Sequence, residues 1–196
     1  MRKEAIRHSG GRLRIIGGEW RGRKLSFPEQ VANLRPTPDR VRETLFNWLS
    51  SRIYGANCLD LFAGSGALGL EALSRGASHC TFVDTANVAT DVIRRHLSDL
   101  NANDRATIVC GDALQWQTRA PVDIVFLDPP YSANLVGGVI HHLLTNSLLA
   151  SDARIYVELE RNQTPPDLPT SLEVIRDKVA GSVRYQLLAV SDNVCL

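Results

Sequence analysis

Hydrophobic positions change their period repeatedly along the chain from residue 57 onward. Short apolar runs typical of buried strands, such as NCLDLF, HCTFVD and VDIVFLD, alternate with stretches of helical spacing such as VATDVIRRHLSDL. Repeated strand–helix–strand units form parallel sheets, because each crossover helix returns the chain to the same edge of the sheet. The pattern therefore predicts an α/β fold with a mostly parallel central sheet and helices on both faces.

The two ends of the chain show different patterns. Near the N terminus, RLRIIG alternates as a strand does and GGEWRGRK provides a turn, which predicts a short β-hairpin. Pro38 and Asp39 then mark the start of a helix from about residue 38 to 50. Near the C terminus, LEVIRDKVAG and VRYQLLAVS indicate two strands joined at Gly181, a hairpin at one sheet edge. We expect a basic N-terminal arm, 1–50, packed on a core domain, 51–196.

Charge is distributed unevenly along the chain. Residues 1–42 hold 11 Lys and Arg against 4 Asp and Glu, a net charge of +7, although the whole chain carries only +1. A polyanion is the expected partner of this segment, and the apolar Ile15, Ile16 and Trp20 among its charges favour a folded arm over a disordered tail. The apolar runs are too short to cross a membrane, and the charged first residues lack the apolar core of a secretory signal. We therefore expect a soluble, cytoplasmic protein.

The cysteines and histidines form no pattern typical of a metal site or a disulfide framework. The four cysteines lie far apart and include no C-x-x-C pair. Because Cys58, Cys80 and Cys110 lie in apolar runs, we expect them in the core. The histidines fall in helical patterns or at a strand start, as His79 does, so ordinary surface or core positions are expected.

A glycine-rich segment follows the first strand of the core domain. The segment DLFAGSGALG, from Asp60 to Gly69, matches G-x-G-x-x-G between a strand and a helix, where bare backbone approaches a nucleotide-like ligand closely. Asp84 ends the next strand and is placed to hold ribose hydroxyls, and Asp112 follows the third strand. S-adenosylmethionine suits these carboxylates because it carries ammonium, ribose and adenine groups. The glycines alone also fit a dinucleotide oxidoreductase or a structural turn, and each aspartate alone fits a helix cap.

A second motif, Asp128-Pro129-Pro130-Tyr131, follows the apolar run VDIVFL and so lies at the same carboxyl edge. The prolines stiffen the corner and remove two donors. Its carboxylate and carbonyls can accept hydrogen bonds from an exocyclic amino group, which leaves the nitrogen lone pair free to attack a methyl group, and Tyr131 can stack on the base. A carboxylate accepts from the adjacent N1–H and N2–H of guanine, so guanine N2 is favoured over adenine N6. Glu158 and Glu160 share a strand face and are secondary candidates.

With these motifs the chain resembles the class I methyltransferases that modify exocyclic amino groups, and more closely the RsmD family of bacterial 16S ribosomal RNA guanine-N2 methyltransferases. The resemblance covers nearly the whole chain, through the blocks RIIGGEWRGRKL, LRPTPDRVRETLFNWL, CLDLFAGSGALGLEALSRGA, VFLDPPY, IYVELE and KVAGSVRYQL. It implies a Rossmann-like class I methyltransferase fold in the core domain and methyl transfer from S-adenosylmethionine to guanine N2 in 16S rRNA.

The resemblance also implies roles for particular residues. The implied catalytic residues are Asp128, Pro129, Pro130 and Tyr131. The residues implied to bind S-adenosylmethionine are Asp60, Phe62, Ala63, Gly64, Gly66, Asp84, Asp112 and Ala113. Those implied to contact rRNA are Arg12, Arg14, Arg21, Arg23, Lys24, Arg35, Arg40 and Arg42. The chain departs from the family at Ala86, where a second acid is frequent, and at Asn33, where glycine is usual.

Three other functions compete with this interpretation. An adenine-N6 methyltransferase shares the cofactor features and the Asp128 motif. A nicotinamide-dependent oxidoreductase shares the glycine pattern but leaves the Asp128 motif and the basic arm unexplained. A noncatalytic RNA-binding protein can keep the same fold. The expected partner is 16S rRNA in an assembled or assembling small ribosomal subunit, without membrane or metal, and the protein is expected to be a monomer.

Overall fold

The computed structural model of the chain describes residues 11–28, 37–130 and 135–191. Nine strands and four α-helices lie in these ranges. The strands are β1 (Gly11–Arg14), β2 (Lys24–Phe27), β3 (Asn57–Leu61), β4 (His79–Asp84), β5 (Ala106–Cys110), β6 (Val122–Leu127), β7 (Leu149–Glu160), β8 (Leu172–Ala180) and β9 (Val183–Val190). The helices are α1 (Asp39–Trp48), α2 (Ala67–Ser74), α3 (Asn87–Asp99) and α4 (Val136–Thr145).

Seven strands form the central sheet in the order β5-β4-β3-β6-β7-β9-β8. Strands β3 to β7 are parallel, whereas β9 runs antiparallel to both β7 and β8. The prediction of a mostly parallel sheet with a C-terminal hairpin at one edge is confirmed. The strand order reverses beside β3, because β4 and β5 extend to one side of it and β6 to the other. Ligands of α/β proteins bind outside the carboxyl ends of strands at such a switch point.

Side chains alternate between two apolar layers, one on each face of the sheet. Cys58, Ile124 and Phe126 pack in the cluster that contains the buried residues of α1, α2 and α3. Leu59 and Val125 pack in the opposite cluster, with α4. Because both faces of β3 and β6 are covered, these two strands are mostly apolar in sequence.

The N-terminal hairpin packs on the same face as α1, α2 and α3. Leu13, Ile15 and Trp20 lie in that cluster, which anchors the basic segment by apolar burial. At the turn, a Cβ atom on Gly18, whose φ is +77°, would lie 1.8 Å from the carbonyl oxygen of Ser74. Only glycine therefore permits this approach of the hairpin to α2.

The prediction that Cys110 is a core residue is wrong. Cys110 is exposed, whereas Cys58 and Cys80 are buried as expected. The reason is its position at the end of β5, the outermost strand of the parallel half, which has a neighbouring strand on one side only. Within the described ranges, no helix is long and apolar enough to cross a membrane.

Candidate active site

Four aspartates lie at the carboxyl edge of the sheet. Asp60 is the fourth residue of β3, Asp84 ends β4, Asp112 follows β5 and Asp128 follows β6. Strand β3 pairs with β4 and β6, and β4 pairs with β5, so the four strand ends are neighbours. The structure thus brings together the carboxylates that the sequence places after separate strands.

Asp60 is almost fully buried and faces α2. Its Oδ2 accepts a hydrogen bond of 2.9 Å from the Gly69 N–H. Burial raises the pKa of Asp60 to about 8; the Gly69 bond opposes this rise and the nearby Asp84 adds to it. A carboxyl group in such a place is stabilised in its charged form by a cationic neighbour, such as the ammonium group of a ligand.

The loop between β3 and α2 has left-handed backbone at three positions. The φ angles are 62° at Phe62, 53° at Gly64 and 78° at Gly66, and the side chain of Phe62 makes its conformation strained. Asp84 holds this loop, since its Oδ2 accepts from the Gly64 N–H and its Oδ1 from the Ala86 N–H, both at 2.8 Å. Each of these oxygens keeps a lone pair that can accept from a ribose hydroxyl.

The remaining cofactor residues expected from the sequence lie just past the ends of β3 and β5. Asp112 is exposed, and its Oδ1 accepts from the Leu114 N–H at 2.9 Å, while Ala63 and Ala113 are buried. Carboxylates, small side chains and bare backbone fit a ligand that presents ammonium and hydroxyl groups. Among the described residues, no group of three or more His, Cys, Asp or Glu is arranged to hold a metal ion.

The corner after β6 places Asp128 beside a second carboxyl group. The Thr37 hydroxyl donates to Glu158 Oε1 at 2.7 Å and lies 3.4 Å from Asp128 Oδ2. Tyr156 also donates to Glu158 Oε1, at 2.8 Å. Pro129, the next residue of the corner, is buried. Pro130 is exposed, and the predicted stacking residue Tyr131 lies outside the described residues.

The environment of this pair raises the pKa of both carboxyl groups. Burial raises the pKa of Asp128 well above its usual range, Glu158 and then Asp60 add to the rise, and the Thr37 bond opposes it. Burial also raises the pKa of Glu158, against the bonds from Thr37 and Tyr156. Perturbed carboxyl groups of this kind cluster at functional sites.

The sequence alone did not identify Thr37 or Tyr156, and it gave Glu158 a secondary place. The alternation in RIYVELE does put Tyr156 and Glu158 on one strand face, which is a usable signal. Thr37 is 121 residues away from Glu158 along the chain, so only the tertiary fold relates them. Glu160 is exposed and forms no part of this cluster.

Comparison with known proteins decides the family. A family model described as "Conserved hypothetical protein 95" matches residues 13–189. Ribosomal RNA small subunit methyltransferase D of Escherichia coli strain K12 is 48% identical over 183 residues, which cover 92% of this chain and 91% of that protein. The protein of the same name from Haemophilus influenzae is 40% identical, over 95% of this chain and 98% of that protein. The chain belongs to this methyltransferase family.

Solved structures agree with this assignment. The Escherichia coli protein yhhF superimposes with a TM-score of 0.83 at 47% identity, covering 92% of this chain and 98% of that protein. Magnesium protoporphyrin IX methyltransferase from Synechocystis, solved with bound SAM, has a TM-score of 0.62 at 15% identity over 78% of this chain and 79% of its own, which shows the shared fold alone. The predicted family, fold class and enzyme class are confirmed.

The predicted RNA-contacting residues of this methyltransferase occupy two regions. Arg14 donates to Asp39 in the first turn of α1, close to Thr37, and Arg40 is exposed on the same turn. By contrast, Arg23 donates to the Asp99 carbonyl at the C-terminal end of α3. Arg12, Arg21 and Lys24 are also exposed on the hairpin, and Arg35 lies outside the described residues.

Arg42 of this methyltransferase is not a surface residue, and its predicted contact with RNA is corrected. It is only 1% exposed. Its Nη2 donates to Asp39 Oδ1 at 2.6 Å and to the Arg14 carbonyl at 2.9 Å, and its Nη1 lies 3.6 Å from Glu71 Oε2. Through the Arg14 carbonyl the side chain connects the N-terminal hairpin to α1. Through Glu71, which is fully buried and whose charge it neutralises, it also contacts α2.

A groove of about 660 Å³ separates α1 of this methyltransferase from the β8–β9 hairpin. Its lining includes Pro38, the neighbour of Thr37 in the chain, the cationic Arg40 and Lys178, and apolar groups such as Val179. Among the described residues that line it there is no carboxylate. The groove thus offers an anion a basic surface beside the first turn of α1.

Proposed function

We propose that the chain transfers a methyl group from S-adenosylmethionine to the exocyclic N2 amino group of a guanine in 16S rRNA. Membership of the family supports the methyltransferase class and an rRNA substrate. The observation that carries the proposal is the position of Asp128. It lies at the carboxyl edge, one strand away from the left-handed glycine loop, in a rigid corner whose carboxyl group faces Glu158 and Thr37.

S-adenosylmethionine supplies, when bound, an electrophilic methyl group whose bonding electrons stay with sulfur as the new carbon–nitrogen bond forms. On this chain, the backbone from Phe62 to Gly66 approaches it without Cβ atoms at the glycines. Asp84 and Asp112 have oxygens able to accept from its hydroxyl and amino groups. The buried Asp60 gains a cationic neighbour, which offsets the cost of ionising it.

Asp128 is the residue we assign to the target base. As a carboxylate it accepts from the adjacent N1–H and N2–H of guanine, which fixes the ring and keeps the amino lone pair on nitrogen. After attack, the amino nitrogen gives up a proton, and the raised pKa of Asp128 makes its carboxylate a suitable acceptor. Pro129 and Pro130 hold the corner, and Tyr131 is proposed to stack on the base.

RNA is proposed to reach this corner along two basic surfaces. One is the exposed face of the N-terminal hairpin, and the other is the groove between Arg40 and Lys178. Because these surfaces lie on either side of α1, they suit a large folded substrate such as an assembled small subunit. We propose that the enzyme acts as a monomer, and with rRNA as substrate we expect it in the cytoplasm.

The experiment is methylation of unmethylated small ribosomal subunits with labelled S-adenosylmethionine, beside the matching naked RNA, followed by digestion to nucleosides. We expect N2-methylguanosine, and faster labelling of the subunits. N6-methyladenosine would refute the choice of base. No label despite binding of S-adenosylmethionine would favour a noncatalytic RNA-binding role.

The variant D128A tests the assigned residue in the same assay. Because the carboxyl group both positions the amino group and takes its proton, we expect turnover to fall by at least about 100-fold. Binding of S-adenosylmethionine, measured by calorimetry, should stay at the wild-type level because Asp128 makes none of the glycine-loop contacts. Loss of cofactor binding with turnover retained would contradict the assignment.

A further inference from the structure

One hydroxyl group lies between two carboxyl groups in this site. Thr37 has a single hydrogen to donate. The distances assign it to Glu158 Oε1, at 2.7 Å, rather than to Asp128 Oδ2, at 3.4 Å. Glu158 Oε1 also receives the Tyr156 hydroxyl at 2.8 Å. The charged form of Glu158 is thus stabilised by two short hydrogen bonds, whereas Asp128 has only the longer contact with Thr37.

Further acidic groups lie near this pair among the described residues. Asp60 of β3 faces Asp128, and Tyr185 of β9 pairs in register with Glu158. On the packed helices α1 and α2, Asp39 pairs with Arg42 and Glu71 with Arg75, while Arg40 and Glu43 are exposed. Among the ion pairs of the described residues, none includes Asp60, Asp128 or Glu158.

We propose that Glu158 is a positioning residue for methyl transfer: in its charged form it engages the Thr37 hydroxyl, and its charge makes the ionised Asp128 the stronger base. The proposal rests on the proposed function of Asp128 as the group that takes the amino proton. Glu158 is 2% exposed, and it acts on the reaction only through its neighbours. A second charge beside an ionised carboxylate is disfavoured, so Asp128 binds a proton readily when one becomes available.

The proton balance follows from this arrangement. As the carbon–nitrogen bond forms, the amino nitrogen releases one proton, which moves to an oxygen of the Asp128 carboxylate. Asp128 becomes a neutral carboxyl group, and Glu158 keeps its negative charge and both donated hydrogen bonds. Neutral Asp128 can then donate to the Thr37 oxygen, whose own hydrogen still points at Glu158. The site therefore accepts the proton without rearranging a second residue.

The test is the pH dependence of the single-turnover rate at saturating RNA and S-adenosylmethionine, for wild type and E158Q. The introduced amide keeps the shape of the side chain and an oxygen for Thr37 and Tyr156, but it removes the charge. Asp128 then ionises more easily, so we expect the acidic limb of the profile to move to lower pH by about one unit. The variant T37V removes the bridging hydroxyl, and we expect E158Q to produce a smaller shift in that background. The conservative T37S should restore the full shift.

Thermal melting of each variant establishes that it is folded, and cofactor binding is measured in parallel. A folded E158Q with reduced rate but an unchanged pH profile would overturn the proposal, because a structural role alone moves no titration. An equal shift in the wild-type and T37V backgrounds would overturn the role of the hydroxyl. The identity of the methylated nucleoside made by wild type tests the proposed base separately. The shift of the pH profile can be measured whether guanine or adenine is methylated.

Discussion

At the scale of single residues, three buried acids are held in three different ways. Glu71 lies between Arg42 and Arg75, so its charge is compensated by ion pairs. Glu158 is stabilised by two hydroxyl donors. Asp60 has the Gly69 N–H, which is a weaker compensation for full burial, and its pKa rises to about 8. The cofactor site therefore contains a carboxyl group whose ionisation costs stability until a cation arrives.

The first prediction concerns the pH dependence of stability at Asp60. The pKa of Asp60 is about 8 in the folded chain against an ordinary value of 3.8. The stability that its protonated form contributes to the fold is therefore largest at low pH and is lost as the pH rises toward 8. Without cofactor, the Tm of D60N minus that of wild type should therefore increase between pH 5 and 8.5. About 1 kcal/mol corresponds to roughly 2–4 °C in a chain of this length, so the change is measurable by melting curves.

The control for D60N is D91N, which removes an exposed carboxylate that pairs with Arg94. Its melting curve should follow wild type at every pH, because an exposed pair contributes little. S-adenosylmethionine should bind D60N more weakly than wild type. Parallel pH profiles of D60N and wild type would show that Asp60 is not the destabilised acid.

At the scale of elements, α2 links the cofactor loop to the N-terminal hairpin. All eight of its residues are buried. Near its N terminus the Gly69 N–H binds Asp60, while in the next turn Glu71 accepts from the backbone N–H groups of Ile16 and Gly17, both at 2.8 Å. These hydrogen bonds therefore connect the hairpin to the helix that borders the glycine loop.

Arg42 provides the test at this scale. R42A leaves the fully buried Glu71 with less compensation, so we expect it to lower the free energy of unfolding by about 3 kcal/mol, measured by urea denaturation. The neighbouring exposed R40A is the matched control and should change stability by less than about 0.5 kcal/mol. Equal stability of the two variants would mean that Arg42 does not neutralise Glu71.

The sequence predicts elements better than it predicts contacts between them. The alternation of apolar periods identifies the strands from β3 onward, because both faces of a parallel sheet are covered, and Gly181 marks the last hairpin. Arg42 was misjudged because an arginine beside Val41 on an amphipathic helix normally points to solvent. The meeting of Thr37 with Glu158 depends on how α1 packs on β7, which no local pattern encodes.

At the scale of the whole molecule, the net charge of +1 conceals a basic band on either side of α1. Arg14 lies on the hairpin side and bonds to Asp39. On the other side, Arg40 and Lys178 line the groove between α1 and the β8–β9 hairpin. The acidic residues that balance this band include the buried Asp60 and Glu158 of the candidate active site. Binding of RNA therefore depends on where the charges lie and not on their total.

The groove supplies the prediction for the whole molecule. If RNA follows it, the double variant R40A/K178A should weaken binding of small-subunit RNA and lower the slope of log affinity against log salt by about 2, one for each lost phosphate contact. Its control is R119A, which removes an exposed arginine shortly before β6, at the opposite edge of the sheet from Asp128. Fluorescence anisotropy over a salt series measures both. Since neither Arg40 nor Lys178 borders the glycine loop, affinity for S-adenosylmethionine should stay unchanged. If the salt slope of the double variant equals that of R119A, the RNA does not follow this groove.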